Sequence, residues 1–117
     1  MALIRTEDRT YRYALMIIKL IDRLPKDTSS SVMAKQLIRS GTSVGANVIE
    51  AKAASSRKDF TNFFSHALKS ANECKYWLKL LLDSGIARST EINPIIQETE
   101  EICNILGASI VKLKSRE

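Results

Sequence analysis

The segment Arg39–Ala51, RSGTSVGANVIEA, raises the question on which the fold depends. It has the glycines and hydroxyl side chains of a phosphate-binding loop, yet its apolar residues recur at helical spacing. A phosphate-binding loop places its glycines before a helix N-terminus, and a P-loop ends in Gly-Lys followed by Ser or Thr. No such pair follows Gly45, and no strand pattern precedes Gly41. We therefore predict a continuous α-helix whose glycines allow another helix, or a bulky side chain such as Phe64 or Trp77, to approach closely.

Helical periodicity extends from this segment to the rest of the chain. Apolar residues at alternating spacings of three and four mark one side of each of four segments. The predicted helices cover roughly 9–24, 29–53, 57–84 and 93–115. On the first helix the predicted buried face is Tyr11, Leu15, Ile18 and Ile21, widened by Ala14 and Ile17. Because the connections are short, we predict one all-α domain over residues 1–117, an up-down-up-down four-helix bundle.

Start and stop signals set the expected boundaries of these helices. Pro25 ends the first helix, and Thr28-Ser29-Ser30-Ser31 offers N-caps for the second. Ser56-Arg57-Lys58-Asp59 resembles a capping box with aspartate in the place of glutamate. Gly85 is the expected stop of the third helix. Asn93-Pro94 predicts an N-cap and a first helical residue for the fourth.

Composition narrows the function classes. The 117 residues are 44% apolar with only 4 glycines and 2 prolines, which favours helices over sheets. No apolar run is long enough for a membrane span, and the N-terminus lacks the pattern of a signal peptide, so we expect a cytoplasmic protein with no membrane partner. The net charge of +5 permits a nucleic acid or another acidic partner without requiring one.

Few residues suit catalysis or metal binding. His66 is the only histidine, and Cys74 and Cys103 lie on or beside apolar helix faces, where we expect buried thiols. Glu50 and Glu73 would lie about 15 Å apart along the bundle axis, at a rise of about 1.5 Å per residue. That separation is too large for a cooperating acid–base pair. We expect no enzymatic activity, no metal site and no cofactor.

A polar stripe accompanies the apolar seam of the second helix and faces a similar stripe on the third. Counting outward from the turn near Ser55 places Ser43 beside Ser70 and Arg39 beside Glu73, the latter two as a partly buried ion pair. This polar layer consists of Arg39, Ser43, Asn47, Glu50, Ser70 and Glu73. It has three interpretations: a hydrogen-bonded layer that fixes helix pairing, a ligand pocket, or a subunit contact.

Basic residues cluster at the start of the first helix, at the second turn and at the C-terminus. An up-down-up-down bundle brings these three places to one end. The candidate nucleic-acid-binding residues are Arg9, Arg12, Lys52, Arg57 and Lys58. The C-terminal Lys112, Lys114 and Arg116 also complement the dipole of the last helix. Each cluster alone is also compatible with an ordinary solvated face.

Apolar residues outside the seams indicate a second packing surface. The candidate residues for a homo-oligomer interface are Phe63, Tyr76, Trp77 and Leu80 on the third helix. Ile38 and Ile49 lie outside the seam of the second helix in the same way. Scattered surface hydrophobic residues are the alternative interpretation.

The opening segment also resembles the signature of a known family. Gln36-Leu37-Ile38-Arg39-Ser40, then Ser43, then Asn47-Val48-Ile49-Glu50 resembles the small four helix bundle protein family, encoded by intervening sequences in bacterial large-subunit ribosomal RNA genes and formerly labelled S23 ribosomal protein. Further matching positions are Pro25, Lys58-Asp59-Phe60, Ala67, Ser70 and Glu73. The resemblance spans roughly Tyr11 to Leu113. Ala51 stands where the family usually has glycine.

The resemblance implies a left-handed up-and-down bundle that forms a homo-oligomer, expected to be a homopentamer. A related branch, the accessory variability protein of diversity-generating retroelements, is a basic pentamer that engages a reverse transcriptase and nucleic acid. No enzymatic activity is established for the intervening-sequence branch. We therefore expect a non-catalytic oligomer that binds RNA, DNA or a nucleic-acid-processing protein partner. The competing hypothesis is a scaffolding oligomer that binds a protein partner and no nucleic acid. The third is an enzyme with a site in the polar layer.

Overall fold

The computed structural model describes residues 2–116 as four helices that pack side by side. The helices are α1 (Ala2–Asp22), α2 (Thr28–Lys52), α3 (Arg57–Asp83) and α4 (Ser89–Lys114). Each helix packs against its neighbours in sequence, and α1 packs against α4 to close the bundle. The predicted all-α four-helix bundle is confirmed, whereas its handedness stays a prediction. Residues 1 and 117 of the predicted domain lie outside the described part.

The first helix is longer than predicted and buries a different side. It begins at Ala2 instead of near residue 9 and ends at Asp22. Its buried apolar side, continued just beyond the helix end, consists of Tyr13, Ile17, Leu20 and Leu24. The predicted face was wrong at Tyr11, which is 62% exposed, and at Leu15, which is 42% exposed, whereas Ile17 at its edge is fully buried. Both series keep helical spacing, so periodicity alone does not choose between them.

Helix α1 lies against the glycines of α2. A Cβ atom at Gly41 would lie 3.0 Å from Cγ1 of Ile17, and one at Gly45 would lie 3.3 Å from Oγ1 of Thr10. The opening segment is continuous helix, as predicted. The group that approaches it is α1, however, and not an aromatic side chain of α3.

Side-chain N-caps mark where α2 and α3 begin. Asp27, and not one of the serines, caps α2 by accepting the backbone N–H of Ser30 at 2.9 Å. That hydrogen bond holds the pKa of the Asp27 carboxyl below its usual value. Ser56 accepts the backbone N–H of Asp59 at 3.0 Å, which is one half of the predicted capping box. The Asp59 carboxylate accepts the N–H of Ser55 at 3.2 Å instead of that of Ser56, so the reciprocal half lies one residue earlier than predicted. At the other end of α3, Gly85 has a φ of 77°, which suits a residue without a side chain.

Helix α4 begins four residues before the predicted start. Its N-cap is Arg88, which makes no side-chain cap bond, and Pro94 lies inside the helix instead of at its first position. Pro94 has no N–H to donate to the preceding turn, so one helical hydrogen bond is missing. Ile92 and Ile95 on either side of the proline are buried in the core, and their burial offsets that loss.

The glycine contacts give opposite expectations for two alanine substitutions. Gly41→Ala should lower the free energy of unfolding by about 1 kcal/mol, because crowding against the fully buried Ile17 outweighs the gain in helix propensity. Gly107→Ala in α4 should raise it by about 1 kcal/mol, because a Cβ there meets nothing within 4 Å. Urea unfolding of both variants measures this. Stabilisation by both substitutions would contradict the close approach of α1.

Candidate nucleic-acid interface

Three separate parts of the chain form one end of the bundle. The start of α1 meets the end of α2 through an ion pair between Glu7 and Lys52, with Oε1 and Nζ 3.0 Å apart. The start of α3 meets the C-terminus, where Nη1 of Arg57 donates to the carbonyl oxygen of Arg116 at 3.5 Å. We call this region the basic end; its cations are Arg5, Lys52, Arg57, Lys58, Lys112, Lys114 and Arg116. The predicted clusters therefore converge.

Arg9 is bound by carboxylates of α4. Its guanidinium lies 2.7 Å from Glu98 and 3.2 Å from Glu101. The hydrogen bond to Glu98 raises the pKa of Arg9, so the ion pair persists at any physiological pH. Arg9 therefore links α1 to α4, and its charge is already compensated.

Two other candidates also have carboxylate partners. Arg12 pairs with Asp8 one turn earlier on α1 at 2.8 Å, and Lys52 pairs with Glu7 as described above. Arg12, Asp8 and Lys52 are all exposed, so these pairs stabilise the fold little but still reduce the local positive field. The five predicted residues therefore divide into three paired cations and the free pair Arg57 and Lys58.

Six of the cations that form no ion pair among residues 2–116 lie together at the tip of the basic end, and the other six are lysines elsewhere on the bundle. Within residues 2–116, no ion pair with a carboxylate forms at Arg5, Arg57, Lys58, Lys112, Lys114 or Arg116. Arg57 and Lys58 occupy the first turn of α3, where the helix dipole is already positive. An anion bound there would interact with both the side chains and the dipole.

Clefts with apolar walls open between these cations. One cleft, of about 500 Å³, is lined by Leu3, Phe60 and Leu113 together with Lys52 and Arg57. An adjoining cleft of about 230 Å³ shares the three apolar residues, and its cationic residues are Lys112 and Arg116. The ring of Phe60 is stacked on that of Phe64, with centroids 4.9 Å apart. No sequence motif signals these clefts, since their walls come from the two ends of the chain and its middle.

The polar layer joins α2 to α3 near the middle of the bundle. Oγ of Ser70 donates to Oγ of Ser43 at 3.0 Å, and Nδ2 of Asn47 donates to the backbone oxygen of Ser43 at 2.9 Å. Arg39 and Glu73 form the expected ion pair. Arg39 is 61% exposed, however, so the expectation of a partly buried pair was wrong for the arginine.

The remaining residues of the polar layer are Glu73 and Glu50. Nε1 of Trp77 donates to Glu73 at 3.0 Å, so that carboxylate binds both a tryptophan and Arg39. The side chain of Glu50 is exposed and makes no hydrogen bond or ion pair with a described residue. The polar groups near the centre of the layer are bonded to one another, which favours the interpretation as a layer that fixes helix pairing.

A second, fully buried polar layer joins all four helices. The hydroxyl of Tyr13 in α1 lies 2.6 Å from Oγ1 of Thr99 in α4, which itself donates to the backbone of Ile95. The Tyr13 hydroxyl also interacts with Cys74 in α3, whose thiol donates to Oγ of Ser40 in α2 at 3.4 Å. Burial raises the pKa of both the Tyr13 hydroxyl and the Cys74 thiol, so both stay protonated. This four-helix layer was missed because the predicted seam of α1 excluded Tyr13.

The expected buried thiols are confirmed at both positions. Cys74 and Cys103 are free and buried. Within residues 2–116, no three side chains of His, Cys, Asp or Glu come together as a metal site would require. None of the described helices combines the length and apolarity that crossing a membrane demands.

Exposed apolar side chains form two surfaces. Of the predicted interface residues, Phe63 and Trp77 pack half-buried against the core, whereas Tyr76 is 59% and Leu80 is 36% exposed. A larger set of exposed apolar side chains lies on α1 and α2. We call it the α1–α2 apolar face; it consists of Tyr11, Leu15, Ile38 and Ile49. Tyr11 and Ile49 line one cleft, which shows that the two helices contribute to a common surface.

The fold and its sequence define the class of this protein. The model of the 23S rRNA-intervening sequence protein family matches residues 5–108, and the chain belongs to that family. The structure is similar to the crystal structure of a protein of unknown function from the S23 ribosomal protein family of Bacteroides thetaiotaomicron. The two share 38% identity and a TM-score of 0.87, over 94% of this chain and 98% of the other. No curated protein sequence matches this one significantly.

The same substitution at Tyr13 and at Tyr11 tests whether the buried four-helix layer stabilises the fold. Tyr13→Phe should lower the free energy of unfolding by about 1–2 kcal/mol, because it removes a buried hydrogen bond to Thr99. Tyr11→Phe removes the same atom from an exposed ring and should change stability by less than about 0.5 kcal/mol. Chemical denaturation compares the two variants. Equal effects would mean that Tyr13 is not the inward residue.

Proposed function

We propose that this protein is a non-catalytic homo-oligomeric helical bundle that binds nucleic acid through its basic end. The observation that carries the proposal is the gathering of unpaired cations at the basic end. Arg9 and Arg12 are neutralised by carboxylates, whereas six cations at the tip, Arg57 and Lys112 among them, have no ion pair within residues 2–116; six further unpaired lysines lie elsewhere on the bundle. Free cations gathered on one surface are what a phosphate backbone needs.

The position of these cations adds support. Arg57 and Lys58 lie in the first turn of α3, where positive side chains are unfavourable for the helix. A bound phosphate would remove that unfavourable interaction. Self-association would then place several basic ends in one particle and strengthen the attraction to a polyanion.

Charge reversal at the basic end should abolish most binding. The triple variant Arg57→Glu, Lys112→Glu and Arg116→Glu should bind a fluorescein-labelled 20-nucleotide RNA at least tenfold more weakly than the parent. Its salt dependence should also be shallower, by about 0.7 for each lost phosphate contact. The matched control is Lys19→Glu, Lys26→Glu and Lys79→Glu, which changes the net charge equally with exposed lysines of the opposite end.

Fluorescence anisotropy across a range of salt concentrations gives both quantities. Equal losses in the two triple variants would show that only net charge matters, and the basic end would lose its assigned role. An oligomer that retains neither RNA nor DNA at low salt would favour the alternative function, a scaffold for a protein partner.

The two apolar surfaces support self-association into a closed ring. A ring requires two different, complementary patches on each subunit, whereas a twofold dimer uses one patch twice. The α1–α2 apolar face is one such patch, and Tyr76 with Leu80 on α3 is the second. The family resemblance implies a pentamer, and two patches per subunit suit that arrangement.

Complementary variants test the ring. Leu15→Glu with Ile49→Glu should yield monomers, and so should Tyr76→Glu with Leu80→Glu, since each pair places charges in one patch. An equimolar mixture should form heterodimers, because one intact patch of each kind remains. Light scattering after size exclusion measures the masses, with Val32→Glu and Val111→Glu together as an equally polar double change at exposed positions outside both patches. Disruption by only one of the two pairs would contradict a ring built from both patches.

A further inference from the structure

The basic end has an apolar floor that phosphate binding alone does not require. Leu3, Phe60 and Leu113 line both clefts described above and are only partly buried. They come from α1, α3 and α4, so the floor forms only when the bundle closes. Leu3 and Phe60 also pack against the core, but the parts of the floor that stay exposed form an apolar surface among the cations that contacts with phosphates alone would not use.

Cations line both clefts beside this floor. Arg57 lines the larger cleft, whereas Lys112 and Arg116 line the adjoining one. The ring of Phe60 lines both clefts, and its stack with Phe64, at an interplanar angle of 22°, fixes its orientation. A flat apolar group on the floor would therefore have cations of both clefts beside it.

We propose that the clefts of the basic end accept an unpaired nucleobase of a single-stranded nucleic acid. The base packs against Phe60 and the two leucines, and the phosphates on either side of it meet Arg57 and the Lys112–Arg116 pair. Single strands expose the faces of their bases, and aromatic side chains beside a cationic groove bind these faces by stacking. A duplex keeps its bases stacked inside and offers only phosphates to the same cations. This inference rests on the proposed function and names its ligand class.

The volume and charge of the clefts fit this occupant. The larger cleft, of about 500 Å³, is within the range of roughly 300–1,000 Å³ that is usual for small-molecule sites. Its apolar floor with a cationic rim complements a nucleotide unit, which has a flat base and an anionic phosphate. Inorganic polyphosphate would meet the rim but leave the floor in contact with water.

The test compares three ligands with the unaltered protein. Fluorescein-labelled 12-nucleotide RNA should bind about tenfold more tightly than a 12-nucleotide strand with abasic sites throughout, since one stacked base contributes about that factor. A blunt 12-base-pair duplex should bind no better than the abasic strand once affinity is expressed per phosphate. Equal affinity of all three would overturn the inference and leave the proposed function standing. No salt-sensitive binding of any of them would overturn the proposed function as well.

Two variants test whether the preference for RNA over the abasic strand comes from the apolar floor. Phe60→Leu keeps an apolar side chain but removes the aromatic ring, and it should bring RNA down to the affinity of the abasic strand. Phe63→Leu on the same helix packs against the core outside the clefts and should keep the preference. Thermal melting monitored by circular dichroism checks the fold of both. If Phe60→Leu unfolds, Leu113→Gln near the end of α4 makes the same comparison. Retention of the full preference in a folded floor variant would overturn the assignment.

Discussion

Helix α1 lies directly on the backbone of α2, because Gly41 and Gly45 have no side chain where the two helices meet. This contact sets the rotation of α1 about its own axis. Ile17 and Thr10 must face the glycines, and Tyr13 then points into the centre of the bundle, where its hydroxyl reaches Thr99. The same rotation turns Tyr11 and Leu15 outward. One steric constraint thereby decides both the buried polar layer and the exposed apolar face.

The sequence predicted the pairing of α2 with α3 better than the position of α1. A four-residue connection and an N-cap at Ser56 fix the register of α2 and α3, so the contact of Ser43 with Ser70 followed from counting. Helix α1 carries apolar residues all round, so two seams were compatible with its spacing. Only the glycines of α2, and the small gap that they leave, choose Tyr13 over Tyr11.

The basic end was predictable in outline and not in detail. Chain direction alone brings the three basic clusters together. Which cations stay free depends on carboxylates that are distant in sequence, since Arg9 pairs with Glu98 across the α1–α4 contact. The pairing of Arg12 with Asp8 at a spacing of four was the one signal available from the sequence. The apolar floor between the free cations had no local signal, because Leu3, Phe60 and Leu113 are neighbours only after folding.

The two thiols lie where their rates of chemical modification report how far the helices separate. Cys74 has no exposed surface and contributes its thiol to the four-helix layer, so an alkylating reagent reaches it only after the helices separate. Cys103 keeps 8% of its surface exposed, and its sulfur lies 3.5 Å from Asn72 at the boundary of α3 and α4. The rate of modification at Cys103 therefore follows small openings between two helices. The rate of modification at Cys74 follows the opening of the whole bundle, because local and global openings differ in free energy.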